Sequence, residues 1–153
     1  MTSRFLRQAG ASVLALEIGY VLLIQLAMVL FTPDTAEIDH TEPRNSGAVL
    51  LFLAAEAAVA VVVLWSAAVL GLDSFRDRGP RWARVAALGA AAALQMFVVR
   101  EAASNALARE GGPDLVINWV MVLLALVAVA ACGLGLRGEF GRARPATSSR
   151  TGA

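Results

Sequence analysis

Residues 115–136 read LVINWVMVLLALVAVAACGLGL, 22 residues without a single charged side chain. An α-helix rises 1.5 Å per residue, so ~20 apolar residues span a ~30 Å hydrocarbon core. This stretch therefore predicts a membrane-spanning helix. A barrel strand would need only ~10 residues of alternating polarity, which the run does not show.

Working outward, three further apolar runs occupy 11–31, 48–70 and 83–99. The last is short, but REAASNALARE (100–110) continues it with good helix formers. The expectation is an all-α integral membrane four-helix bundle, one domain over 1–136, with helices near 11–31, 48–70, 83–102 and 115–136. The segment RGEFGRARPATSSRTGA (137–153) lacks apolar periodicity and reads as a disordered tail. Composition agrees: hydrophobic residues are 58% and charged residues 16%, with mean hydropathy +0.67. Ordinary globular chains have about 45–50% and about 25%. The first run follows Arg4 and Arg7 as a signal peptide would. It is longer than the ~7–15 apolar residues of such a peptide and contains Glu17 and Gln25, so it reads as a retained helix.

All 13 basic residues are arginine, and their distribution orients the bundle. Arg4, Arg7, Arg76, Arg78, Arg81, Arg84, Arg137, Arg142, Arg144 and Arg150 fall on one side, against Arg44, Arg100 and Arg109 on the other. The positive-inside rule then predicts both termini in the cytoplasm. Arginine without lysine, with abundant Ala, Gly and Val, suggests a high-GC bacterial genome, hence the bacterial plasma (inner) membrane. The cytoplasmic arginines are expected to attract anionic lipid headgroups, each by about 1 kcal/mol. Trp82 and Trp119 fall at the two expected water boundaries, whereas Trp65 lies deeper and is expected to pack or to face a partner.

The outer loop TPDTAEIDHTEPRNSG carries Asp34, Glu37, Asp39, His40 and Glu42. Such oxygens can hold a hard cation, but the spacing matches no metal loop, so the segment reads as solvated and acidic. The inner loop GLDSFRDRGPRWAR resembles the loop between helices two and three of major facilitator transporters at Asp77, Arg78, Gly79 and Arg81. That fold needs about twelve helices in repeated units, against four runs here. ASVLALEIGYVL is similar to the first helix of the small multidrug resistance family, with Glu17 at the matching position. The long outer loop and a second membrane glutamate depart from that family, so no function is carried over from either likeness.

The second run, LLFLAAEAAVAVVVLWSAAVL (50–70), places Glu56 among apolar neighbours. A charge near a membrane helix centre costs about 2.5–3.5 kcal/mol on insertion scales, so it faces an interior, a cavity or a partner. Gln25, Gln95 and Arg100 share its outer half. Two readings stay open: Glu56 pairs with Arg100, or it is neutral and hydrogen-bonded to Gln25 or Gln95. Gly89 and Ala93, spaced four apart on the Arg100 face, predict a close helix crossing. Glu17 is expected to tie to Arg84 at the cytoplasmic side, with a proton-relay role as the alternative.

No catalytic constellation is present. The single histidine, His40, excludes a Ser-His-Asp set and bis-histidine haem, and one cysteine, Cys132, excludes an internal disulfide. The sequence predicts no enzyme activity, cofactor, metal or nucleic-acid partner. Its expected partners are the lipid bilayer and another membrane protein or itself. The favoured expectation is an accessory or scaffold subunit of a membrane complex. The alternative is a small oligomeric proton- or cation-coupled transporter or channel using Glu56 or Glu17.

Overall fold

The computed structural model describes residues 2–31, 46–76, 78–108 and 111–141. Four α-helices make up most of them: α1 (Thr2–Phe31), α2 (Ser46–Gly71), α3 (Arg81–Leu107) and α4 (Pro113–Gly141). A single 3-10 turn, Asp73–Phe75, joins α2 to α3, and there is no strand among the described residues. Each helix is long and apolar enough to cross a membrane.

The helices outrun their apolar stretches. α1 begins at Thr2 rather than near 11, α3 runs to Leu107 rather than 102, and α4 runs to Gly141 rather than 136. Hydropathy marks only what lipid would cover, whereas the backbone continues helical wherever its hydrogen bonds remain favourable. At 29 residues α4 is about 43 Å long, well beyond a ~30 Å hydrocarbon core. The first five residues of the expected tail are thus helix, and residues 142–153 lie outside the described residues.

Consecutive helices run antiparallel and pack side by side, and α1 returns against α4 to close the ring. The α3–α4 interface is the most extensive, and α2–α3 is the thinnest of the neighbouring pairs. The core contains Leu14, Ile18, Val63, Leu70, Leu88, Ala131 and Cys132, near the arginine-rich end and the middle. Toward the other end, α3 and α4 continue to bury Ala102, Ala106, Val122 and Ala125. In contrast, every residue of α1 from 19 to 24 is exposed, and α2 is exposed at nearly every position from 47 to 59. The α1–α2 pair thus presents apolar side chains on all sides in this half. That is tolerable in lipid, where no hydrophobic force drives helices together.

The close crossing is not where the sequence suggests. A Cβ at Gly89 would meet nothing within 4 Å, and Ala93 is exposed, bordering a groove between α2 and α3. The tight approach is at Gly10, where an added Cβ would collide with the Ala131 Cβ on α4. Small residues on both helices let the backbones meet.

At the arginine-rich end the α2–α3 connection folds back on the bundle. Gly79 has φ +76°, a left-handed conformation that suits glycine, and it sits under the Trp65 ring. Trp65 also meets Phe75 edge to face at 6.0 Å between ring centroids, so the deep tryptophan does pack within the chain. The Arg78 guanidinium covers Phe75, and that of Arg81 covers Phe140. An exposed Arg4–Asp73 pair at 2.8 Å links the start of α1 to the turn.

Candidate functional site

Two polar pairs, one buried and one part-buried, link the helices, and neither has the partners expected from sequence. Arg84, in the first turn of α3, meets Glu139 near the end of α4. Its Nη2 donates to Glu139 Oε2 at 2.9 Å and its Nε to Oε1 at 3.3 Å, a two-pronged contact. The side chains are only 10% and 5% exposed. The Arg84 Nη1 donates to the carbonyls of Gly79 at 2.7 Å and Arg78 at 3.3 Å. The turn at Gly79 aims those carbonyls back at α3, so one guanidinium clamps loop, α3 and α4 together. Beside Glu139, Arg7 of α1 and Arg76 line a void of about 10 Å³. One carboxylate thus sits among cations from three parts of the chain.

Composition alone assigns Glu139 to a disordered tail, and the tie expected between Arg84 and Glu17 is not formed. The sequence does carry a signal for Glu139. Ala128, Ala131 and Cys132 are buried, and Gly135 and Glu139 continue their stripe at helical spacing. Weighting composition over periodicity conceals it.

Glu17 instead accepts a hydrogen bond from Gln95 Nε2. α1 and α3 are diagonal in the bundle and their backbones do not approach, so this bond spans its middle. Gln95 is 2% exposed, and its Oε1 has no partner among the described residues. A polar contact between membrane helices is typically worth about 0.6–2 kcal/mol. Glu17→Gln, which keeps a hydrogen-bonding group at similar volume, is expected to shift unfolding in mild detergent by under about 1 kcal/mol. Glu17→Leu leaves the Gln95 amide wholly unpartnered and is expected to cost the full ~0.6–2 kcal/mol. Equal melting of the two variants would show that the contact contributes nothing.

The rest of the expected cluster is not assembled. Glu56 is half-buried in a groove between α1 and α2, lined by Ile18, Val21, Leu22, Phe52, Ala55 and Val59. Neither Arg100, which is exposed, nor Gln25, which is half-buried, bonds to it. Glu56 and Arg100 each lack a hydrogen-bond or ion-pair partner among the described residues. Gln95, the other candidate partner of Glu56, is engaged with Glu17. The acidic segment with Asp34, Glu37, Asp39, His40 and Glu42 lies outside the described residues.

Larger grooves lie between helices. One between α2 and α3 holds about 480 Å³ and is lined by Ala, Val and Leu only. A second, about 510 Å³ between α1 and α2, adds Gln8 and Ser12 near the arginine-rich end. Among the described residues no group of three His, Cys, Asp or Glu side chains comes together for a metal. No family model, curated protein or solved structure matches the chain.

Proposed function

We propose that this chain is a non-enzymatic multi-pass protein of the bacterial inner membrane, an accessory or scaffold subunit of a larger complex. Both termini and the arginine-rich end face the cytoplasm, where those arginines meet anionic headgroups. One observation carries the reading: the buried ionisable groups Arg84 and Glu139 are held by each other, and the buried Gln95 is held by the half-buried Glu17. These pairs fix helix order and leave the large grooves between the helices mostly apolar, which suits lipid or a partner helix better than a polar substrate.

A second reading has one observation in its favour. The unpartnered Gln95 Oε1 lies beside Glu17 near mid-bundle, a point at which a proton- or cation-coupled transporter would bind its ion. Reconstitution into liposomes separates the two. The subunit reading expects no proton or alkali-cation flux above that of empty vesicles and recovery of a complex in mild detergent. Flux abolished by Glu17→Gln would overturn it.

Orientation has its own test. Cysteines introduced at Thr35 and Ser46 are expected to react with membrane-impermeant thiol reagents in intact cells, and one at Ser74 only after lysis. The native Cys132 is fully buried and gives a low background. Labelling of Ser74→Cys from outside would reverse the topology.

A further inference from the structure

We propose that two copies of this chain form a two-fold dimer through α2, each copy's Glu56 pairing with the other copy's Arg100. The starting observation is a mismatch. Glu56 inside an apolar run and Arg100 at the end of another both lack a partner among the described residues, and a carboxylate in hydrocarbon is costly unless paired.

Their depths match. Glu17 and Gln95 are hydrogen-bonded and so define one level across the bundle. Arg100 stands five residues beyond Gln95 on α3, about 7.5 Å toward the arginine-poor end. Glu56 shares its groove with Ile18, Val21 and Leu22, one to five residues and about 1.5–7.5 Å beyond Glu17 on α1. The two groups are therefore level to within the reach of an arginine side chain.

Their lateral positions match as well. Glu56 lines the groove between α1 and α2, whereas Arg100 lies seven residues from Ala93, on the stripe bordering the groove between α2 and α3. Helix α2 separates them. A two-fold axis along the membrane normal through the outer face of α2 exchanges left and right while keeping depth. It brings each Glu56 opposite the second copy's Arg100, forming the same contact twice in a closed, self-complementary interface. The stripe between them, Leu50, Ala54, Ala57 and Val61, is exposed, with two small residues at its centre where two helices can approach. α2 is also the least covered helix: 11% of its most apolar stretch is buried, against 28% for α3 and α4.

This inference deepens the subunit reading and rests on it for membrane insertion, but it fails separately. Flux would overturn that reading, whereas only oligomeric state bears on the dimer. The test uses charge reversal in two differently tagged full-length chains reconstituted in nanodiscs. Glu56→Arg alone sets Arg against Arg at both contacts, and Arg100→Glu alone sets Glu against Glu. Each is expected to lower the dimer population by about tenfold or more. Co-expression of the two variants restores an acid–base pair in the mixed dimer, which is expected to return to the wild-type level. If a reversed chain fails to insert, Glu56→Leu and Arg100→Leu supply the loss arm, each expected to shift dimer toward monomer. The proposal is overturned by a monomeric wild-type protein, or by a mixture no more dimeric than its components. Rescue confined to both changes in one chain would place the pair within a copy and also overturn it. A monomeric wild type that loses a different bound membrane protein on Glu56→Leu would assign α2 to that partner and likewise rule out the dimer.

Discussion

Glu139→Leu is expected to destabilise the bundle by about 3–5 kcal/mol, the range for removing one member of a buried ion pair. The substitution leaves Arg84 with the Gly79 and Arg78 carbonyls but without the Glu139 counter-charge, and takes the carboxylate out of the void that Arg7 and Arg76 also line. Arg84→Leu is expected to cost less than Glu139→Leu, because Glu139 keeps two arginines lining the adjacent void. The freed carbonyls of Arg78 and Gly79 belong to exposed residues and can turn to water. Combining both substitutions is expected to recover much of the loss, since a buried pair replaced by apolar groups is often near neutral. A double-mutant cycle on reversible unfolding in mixed micelles measures all three values. Additive losses would mean that the pair is not coupled, contrary to its two-pronged geometry.

Gly10→Leu is expected to be at least as damaging, through packing alone. Even alanine at this position would drive its Cβ into that of Ala131 and place it 3.5 Å from the Val127 carbonyl, so α1 or α4 must move. Overpacking of this kind costs about 1–3 kcal/mol for small insertions, and leucine adds three further carbons at a buried position. Gly89→Ala is the matched control. Its Cβ would enter open space, and removing a glycine from a helix interior gains about 0.5–1 kcal/mol. Opposite signs for the two alanine variants in the same melting assay are the expected result. A destabilising Gly89→Ala would instead mean that this face is covered by another molecule.

The contrast between these glycines shows what the sequence can convey. The four helices are legible because runs long and apolar enough to cross a membrane appear directly, as in 115–136 and 50–70. Which face of a span touches which neighbour is not, because Ala, Val, Leu and Gly occur on every face of these helices. Gly89–Ala93 and Gly10 look alike in sequence, and only the bundle geometry separates them. The polar pairs are half legible. Glu17, Arg84 and Gln95 stand out as polar groups in apolar helices, but depth alone offers several partners to each. Proximity to one surface matches Glu17 to Arg84, whereas the bond to Gln95 crosses the diagonal of the bundle. Glu139 escapes notice because a Gly- and Arg-rich segment suggests disorder, while the buried stripe leading into it marks one more helical turn.

The Arg84–Glu139 clamp also sets a timetable for synthesis. The partners are 55 residues apart in sequence, and chains grow at about 5–20 residues per second. Arg84 therefore leaves the ribosome about 3–11 s before the acid that neutralises it. During that interval its guanidinium already has acceptors five and six residues upstream, in the Gly79 and Arg78 carbonyls. The loop acts as a temporary host for the charge until α4 is complete. A chain released at Leu136 would keep all four apolar spans and never receive the counter-charge, so the last helical turn decides whether a finished molecule differs electrostatically from an aborted one.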